Sequence, residues 1–323
     1  DGGEATPPHR PLRTFGVVMA GAAAQRLGDI MEEGEGLKSL ADPRFAQVDQ
    51  MPFAILRCVL SIVVFLACAI VVARLVFPAP SDISRDETTA LPPAESGALA
   101  EALTQSAKGH SGLTGIAPLQ NGLDAFAARI LLANAAVSSI DVQYYIWRAD
   151  MTGHLLLKAL HRAAERGVRV RLLLDDNGID GLDDILVALD DHPNIEVRLY
   201  NPFILRHFKR LSYAFDFFRL NHRMHNKSFT VDGRASILGG RNVGNEYFGT
   251  GTTPLQIDLD VLALGDIVLR ISADFDRYWN SRPVHAAARI LGEISDSGLI
   301  ATALAAFERD LEFDKYRALL EES

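Results

Sequence analysis

Hydrophobic and polar positions change period repeatedly along the chain. Between Leu123 and Leu199, stretches with apolar residues at helical spacing alternate with short aliphatic and β-branched runs. The pattern predicts helices over 123–134, 152–166 and 182–189, and strands over 140–147, 168–174 and 195–199. Thr152 and Gly167 punctuate the second helix. Strands joined by helices imply crossover connections, so the expected fold class is α/β, an αβα sandwich with a mixed, largely parallel sheet. Further on, SFTV and ASIL flank the polar Asp232-Gly233-Arg234, as two strands flank a turn, and IDLDVLAL supplies another strand. Helices over 266–280 and about 286–320 would close the domain.

The block 53–77 has a different pattern, apolar throughout with Arg57 and Arg74 near its ends. About 20 such residues cross a bilayer, so one transmembrane helix is expected. A buried core helix and a cleaved signal peptide are the rivals; no A-x-A site follows the run, which favours an uncleaved anchor. Arg57 on one side, with Arg74 and Arg85 on the other, leaves the orientation undecided by charge. Both cysteines, Cys58 and Cys68, fall in this block and offer no cysteine metal cluster elsewhere. Residues 78–120 are rich in Pro, Ser, Ala, Gly and Thr and are expected to form a flexible linker. Residues 1–52 are expected to be disordered or extraneous and receive no function, which leaves 121–323 as the catalytic region. The 323 residues are 48% hydrophobic and 23% charged with a formal net charge of −9, a globular composition whose acidic balance argues against a nucleic-acid partner.

The chemistry concentrates in HNKSFTVDGRASILGGRN, from His225 to Asn242. Strand alternation places His225 and Lys227 on one face and Asp232 on the other. Gly239 and Gly240 let backbone approach a ligand closely, and Asn242 can then present an amide donor. A neutral imidazole can attack phosphorus, while Lys227 and Asn242 stabilise charge on the equatorial oxygens, a task often given to Mg²⁺. Neither a metal nor another cofactor is expected. The second ring nitrogen of His225 should donate to Asp258 or Asp260, which share a face of IDLDVLAL. Asp175, Asp176 and Asn177 read as a polar loop on the active-site side rather than a metal cluster. Tyr144, Tyr145 and Trp147 read first as packed core, and Asn245 and Glu246 as caps or pocket neighbours. The segment NPFILRHFKRLSYAFDFFRLNHR mixes aromatic and basic residues as interfacial elements do, making Arg206, Lys209 and Arg210 candidates for binding anionic substrate headgroups.

The order HxKxxxxD followed by GGxN resembles the signature of the phospholipase D superfamily. The flanking segments GLDAFAARILLA, DVQYYIW, GVRVRLLLDDNG, GGRNVGNEYF and FDRYWNS look like those of bacterial cardiolipin synthases of the C type, over about 112–281. The resemblance implies a phospholipase D-like fold and catalytic roles for His225, Lys227, Asp232 and Asn242. It also implies a phosphohistidine intermediate, phosphatidylglycerol and phosphatidylethanolamine as substrates, and cardiolipin as product. Family members carry two such halves, with one histidine as nucleophile and the other as acid. This sequence holds one, so a second half or a homodimer partner is expected. Phospholipase D-type hydrolysis and a homodimeric nuclease are the alternative activities. The implied location is a bacterial inner membrane, crossed once, with the domain facing the periplasm.

Overall fold

A computed structural model describes residues 43–80, 86–106, 110, 112–250 and 254–292. The expectations for 1–42 and for a helix continuing past 292 lie outside the described residues. By its internal contacts the chain forms two units, Asp1–Val71 and Val72–Ser323. The described part of the first belongs to helix α1 (Pro43–Val76), whose stretch Phe53–Val76 has a hydropathy of 2.9 and is long and apolar enough to cross a membrane.

The second unit begins with α2 (Ala98–Ser106), β1 (Thr114–Leu119), α3 (Gly122–Ala135), β2 (Ser139–Tyr144) and α4 (Met151–Glu165). It continues through β3 (Arg169–Asp175), α5 (Asp183–Asp190), β4 (Ile195–Tyr200), α6 (Lys209–Leu220), β5 (Ser228–Val231) and β6 (Ala235–Gly239). The last described elements are α7 (Asn245–Phe248), β7 (Asp260–Gly265), α8 (Ile267–Trp279), β8 (Val284–Ala286) and α9 (Ala287–Leu291). The eight strands form one sheet in the order β1-β7-β6-β5-β2-β3-β4-β8.

The sheet is mixed, but the expectation of largely parallel pairing is corrected. Only β2 with β3 and β3 with β4 run parallel; the other neighbours are antiparallel. The α/β alternation holds through β4, after which β5 and β6 form a tight hairpin and β1 and β8 add antiparallel edges. In the hairpin turn Arg234 N–H donates to Val231 O at 2.9 Å, and Asp232 and Gly233 both have positive φ, 55° and 62°. That is the type I′ geometry whose twist matches paired strands.

One face of the sheet is apolar. Ile140, Val142, Tyr144, Val170, Leu172, Val197, Phe229, Val231 and Ile237 pack there with α3, α4 and α5. The opposite face carries Asp141, Arg171 and Arg198, buried yet paired. Arg171 bridges Asp141 (2.7 Å) and Asp276 of α8 (2.7 Å), and its guanidinium lies over Phe275 and Trp279. Such burial is tolerated because each charge meets an opposite one and its hydrogen-bonding capacity is filled.

The expected linker is a second correction, because 86–94 docks along this polar face. Thr88 O accepts from Arg171 Nη1 (3.0 Å), Asp86 O from Arg198 Nη2 (2.7 Å), and Thr88 Oγ1 from Trp279 Nε1 (2.8 Å). Ala94 N–H donates to Asp232 O (2.9 Å), while α2 and β1 occupy much of the remainder to 119. The segment lacks the apolar content to fold alone, but backbone carbonyls are what the buried arginines need.

Asp232 also accepts from the N–H groups of Ser138 (2.8 Å), Ser139 (3.0 Å) and Val137 (3.1 Å), tying the hairpin turn to the start of β2. Asp232→Ala should therefore destabilise the protein by about 2–4 kcal/mol, by stranding these amides and placing alanine at a positive φ. Asp232→Asn should lose roughly half as much, since asparagine tolerates that backbone and keeps one acceptor. Urea unfolding of both variants checks the order.

Candidate active site

The antiparallel pairing of β5 with β2, which itself runs parallel to β3, brings the start of β5 to the ends of those two strands. His225 and Lys227 precede β5, Tyr145 follows β2, Asp175 ends β3, Gly239 ends β6 and Asp260 opens β7. All therefore gather at one edge, the carboxyl end of the parallel strands, where open α/β sheets place ligand sites.

His225 is exposed and Lys227 is buried. The Lys227 ammonium donates to His225 O at 2.6 Å and lies 3.2 Å from Nδ1 of the same residue. It also faces the Tyr145 ring at 5.6 Å, while that ring packs on the imidazole with centroids 4.9 Å apart. Desolvation and the neighbouring ammonium hold the His225 imidazole below its usual pKa, opposed by Asp258. Desolvation lowers the Lys227 pKa as well, opposed by Asp258 and Asp260. The site thus presents a neutral imidazole beside a buried cation. Asn242 is buried, and its Oδ1 accepts from Ile146 N–H at 3.1 Å. With the oxygen engaged, the amide has its Nδ2 donors to offer.

The expected orienting carboxylates divide. Asp258 is exposed, precedes β7 and acts on His225 and Lys227 through its charge. Asp260 is buried and committed elsewhere, 2.8 Å from Arg129 Nη2, and it accepts from Arg241 N–H at 3.2 Å. Arg129 in turn donates to Tyr144 Oη (2.8 Å) and Ala125 O (2.6 Å), so this group is a fold clamp. The nitrogen expected to donate to a carboxylate instead meets Lys227.

The glycines act differently from the expectation. A Cβ on Gly239 would strike Asp260 and the Leu259 carbonyl, and one on Gly240 would strike the Asp258 carboxylate. They make room for Asp258 and Asp260. Asp232 stands at the far end of β5, on its structural amides. Arg206 pairs with Asp176 (2.7 Å) and Asp183, and Lys209 with Asp180 (2.6 Å), so neither is free for a headgroup; Arg210 is exposed. The loop after β3 is thus a brace. Asp175 accepts from Met224 N–H (2.8 Å) and Arg223 Nη1 (2.9 Å), fixing the residues just before His225. Desolvation raises the pKa of Asp175 and Asp176, against the arginines that pair with them. Tyr144 and Trp147 are core, as expected, whereas half-buried Tyr145 lines the site. Its neighbour relation follows from strand alternation at the end of β2 and was legible only once β5 was known to lie beside it. Asn245 and Glu246 serve locally: Asn245 Oδ1 accepts from Thr152 N–H (3.1 Å) and Glu246 pairs with Arg148 (3.0 Å).

A second cluster lies on α4, where His161 and Glu165 approach His192 with ligand atoms within 4.8 Å of one another. Asn194 N–H donates to His192 Nδ1 at 3.1 Å, so the neutral ring keeps its proton on Nε2, 3.8 Å from Glu165. A cation bound at Nε2 would require the ring to give up that backbone bond.

A sequence family described as "Cardiolipin synthase, PLD-like domain" matches residues 130–279. Cardiolipin synthase C of Escherichia coli is 55% identical over 202 residues, 61% of this chain and 43% of that protein. A cardiolipin synthase of Oceanobacillus iheyensis is 30% identical over 169 residues, 51% of this chain and 33% of that protein. The chain spans less than half the length of these relatives. Among solved structures, phosphatidylserine synthase of Haemophilus influenzae matches at 16% identity with a TM-score of 0.44, over 65% of this chain and 48% of that one. A phospholipase D family member from Salmonella typhimurium, Nuc, matches at 18% identity with a TM-score of 0.37, over 54% of this chain and 97% of that one.

Titration of His225 followed by NMR should give a pKa below the ordinary 6.5 or so of histidine. Lys227→Met should move it upward, because removing a neighbouring positive charge favours the imidazolium. A pKa unchanged or lowered in Lys227→Met would contradict the coupling. The nitrogen shifts in the same spectra should report Nε2–H as the resting tautomer, since Nδ1 receives the ammonium.

Proposed function

Because the chain belongs to the phospholipase D superfamily and lies close to the cardiolipin synthases, we propose that it provides the nucleophilic half of a membrane-anchored phosphatidyltransferase that makes cardiolipin. The observation that carries this reading is the His225–Lys227 pair, an imidazole kept neutral beside an ammonium at the open edge of the sheet. A phospholipid phosphodiester entering there attracts Lys227 away from His225 Nδ1. The released Nδ1 can then carry the ring proton and face the charge of Asp258, which leaves the Nε2 lone pair to attack phosphorus.

In the first step the His225 N–P bond forms and the P–O bond to the donor's departing alcohol breaks. That alcohol, glycerol from phosphatidylglycerol or ethanolamine from phosphatidylethanolamine, takes a proton from an acid outside this site. A second half or a second copy would supply that acid. In the return step a hydroxyl of another phosphatidylglycerol gives its proton to the conjugate base of that acid, its oxygen attacks phosphorus, the N–P bond breaks and cardiolipin forms. Lys227 and the Asn242 amide hold the equatorial oxygens through both steps, where fixed donors in a desolvated site are most effective. Helix α1 would anchor the protein in the membrane that contains both lipids.

The test is acid-quenched reaction in proteoliposomes of phosphatidylglycerol, followed by mass analysis of the protein and its lipids. A phosphatidyl adduct should appear on His225, and His225→Ala should lower cardiolipin formation on the order of 10³-fold or more. Equal cardiolipin from His225→Ala and no adduct would overturn the assignment, whereas an adduct released only as phosphatidate would identify water as the acceptor.

A further inference from the structure

Helix α6, a surface helix, buries Phe215 and Leu220 but leaves a further run of apolar side chains uncovered. Such helices bury the apolar stripe and expose the polar one. In α6 the inward positions include Ser212 and Asp216, both buried, and Asp216 pairs with Arg219 at 2.6 Å. Outward it presents Leu211 (57% exposed), Ala214, Phe217 (51%) and Phe218 (78%), with Phe208 (69%) just before its first turn. Leu211, Ala214 and Phe218 follow the i, i+3, i+7 rule, so they form one ridge along the helix. Arg210 and His222 are exposed at its two ends. Single exposed apolar residues need no explanation, but a contiguous aromatic ridge edged by basic groups does.

Two contacts within the second unit indicate what covers this ridge. Arg74 Nε donates to Phe215 O of α6 at 2.8 Å, and the Phe77 ring lies 6.1 Å from that of Phe215. Arg74 is in the last turn of the apolar helix, and Phe77 follows it directly in the chain. If the stretch Phe53–Val76 crosses a bilayer, as proposed above, its final residues mark the level of the headgroups, and α6 is held at that level by contact with them. The chain resumes from α6 through Asn221 and His222 to His225, so the helix also borders the site.

We infer that α6 is an interfacial membrane element, which inserts Leu211, Phe217 and Phe218 among the acyl chains of an anionic phospholipid surface. Arg210 then lies among the phosphates, as on helices that rest in the membrane plane. The kink at Asp216, where φ is −132° and ψ 29°, lets the second half turn Phe217 and Phe218 outward together. The consequence is that the imidazole meets phosphodiesters at their own depth, without the lipid being lifted from the bilayer. This inference rests on reading α1 as a membrane span, but not on turnover.

The full chain in proteoliposomes of phosphatidylglycerol and phosphatidylcholine offers a direct test. The two native tryptophans, Trp147 and Trp279, are buried and supply a constant background. Phe218→Trp should add a blue-shifted emission, quenched at least about twofold more by lipids brominated on their acyl chains than the wild-type signal is. Leu131→Trp, at an exposed position of α3, should add an emission typical of water and little quenching. A Phe218→Trp emission that is water-like, or blue-shifted yet insensitive to brominated lipid, would overturn the inference; the second outcome would mean that protein, such as a second copy, covers the ridge. Neither readout requires cardiolipin to be made, so failure of the proposed reaction and failure of this inference are separable.

Discussion

The ion pair between Arg129 and Asp260 is the constraint on which the site's geometry depends. Both groups are buried, and each is saturated: Arg129 by Tyr144 and Ala125, Asp260 by the Arg241 amide. This clamp joins α3, the end of β2 and the opening of β7, and it is why Gly239 must lack a side chain. With those contacts made, Asp258 is carried to the vicinity of His225 and Lys227. Removing one partner of such a pair typically costs about 3–5 kcal/mol, because the other charge is left buried alone. The clamp is therefore better understood as an enforcer of position than as a net source of stability.

The same device recurs around the site. Asp175 holds Arg223 and the Met224 amide, Asp176 holds Arg206 and the Phe203 amide, and Asp232 holds three amides at the start of β2. Buried carboxylates that accept backbone N–H groups fix loops that have no ladder of their own. Asp175, Asp176, Asp232 and Asp260 are thus engaged in holding the site, while exposed Asp258 acts through its charge on His225 and Lys227.

Much of this was legible in the sequence, for stated reasons. The helices and strands through β4 announced themselves by period, and observed bounds such as Met151–Glu165 and Arg169–Asp175 fall within a residue or two of expectation. The Asp232-Gly233 turn was readable because few dipeptides suit two positive φ values in succession. The sheet's direction was not, because alternation of elements says nothing about a chain that stops crossing over and begins to double back. The roles of Arg206 and Lys209 were missed since composition records charge without its partner, and their acids lie in the loop Asp176–Asp183, some distance away in sequence. Asp258 and Asp260 looked equivalent by alternation, and what separates them is Arg129, buried on another element. Residues 86–94 looked like a tether because their contribution is made by carbonyls, which every sequence has.

The pair at the open edge also sets how selectivity must arise. In the proposed reaction Lys227 and Asn242 would contact only the phosphoryl oxygens, which are common to every phospholipid, and would stabilise transfer without distinguishing donor or acceptor. Discrimination has to come from groups that meet the alcohol or the acyl chains. Tyr145 packs on one side of the imidazole, and the exposed Leu255, Ile257 and Leu259 flank Asp258 in the chain. In the proposed reaction, apolar side chains beside Asp258 in the chain would favour lipid over a free polar alcohol, whose hydroxyls would lose water without recovering hydrogen bonds. On that proposal, the choice between a lipid acceptor and water would be a matter of what those side chains desolvate, and the phosphorus chemistry itself could stay the same in both.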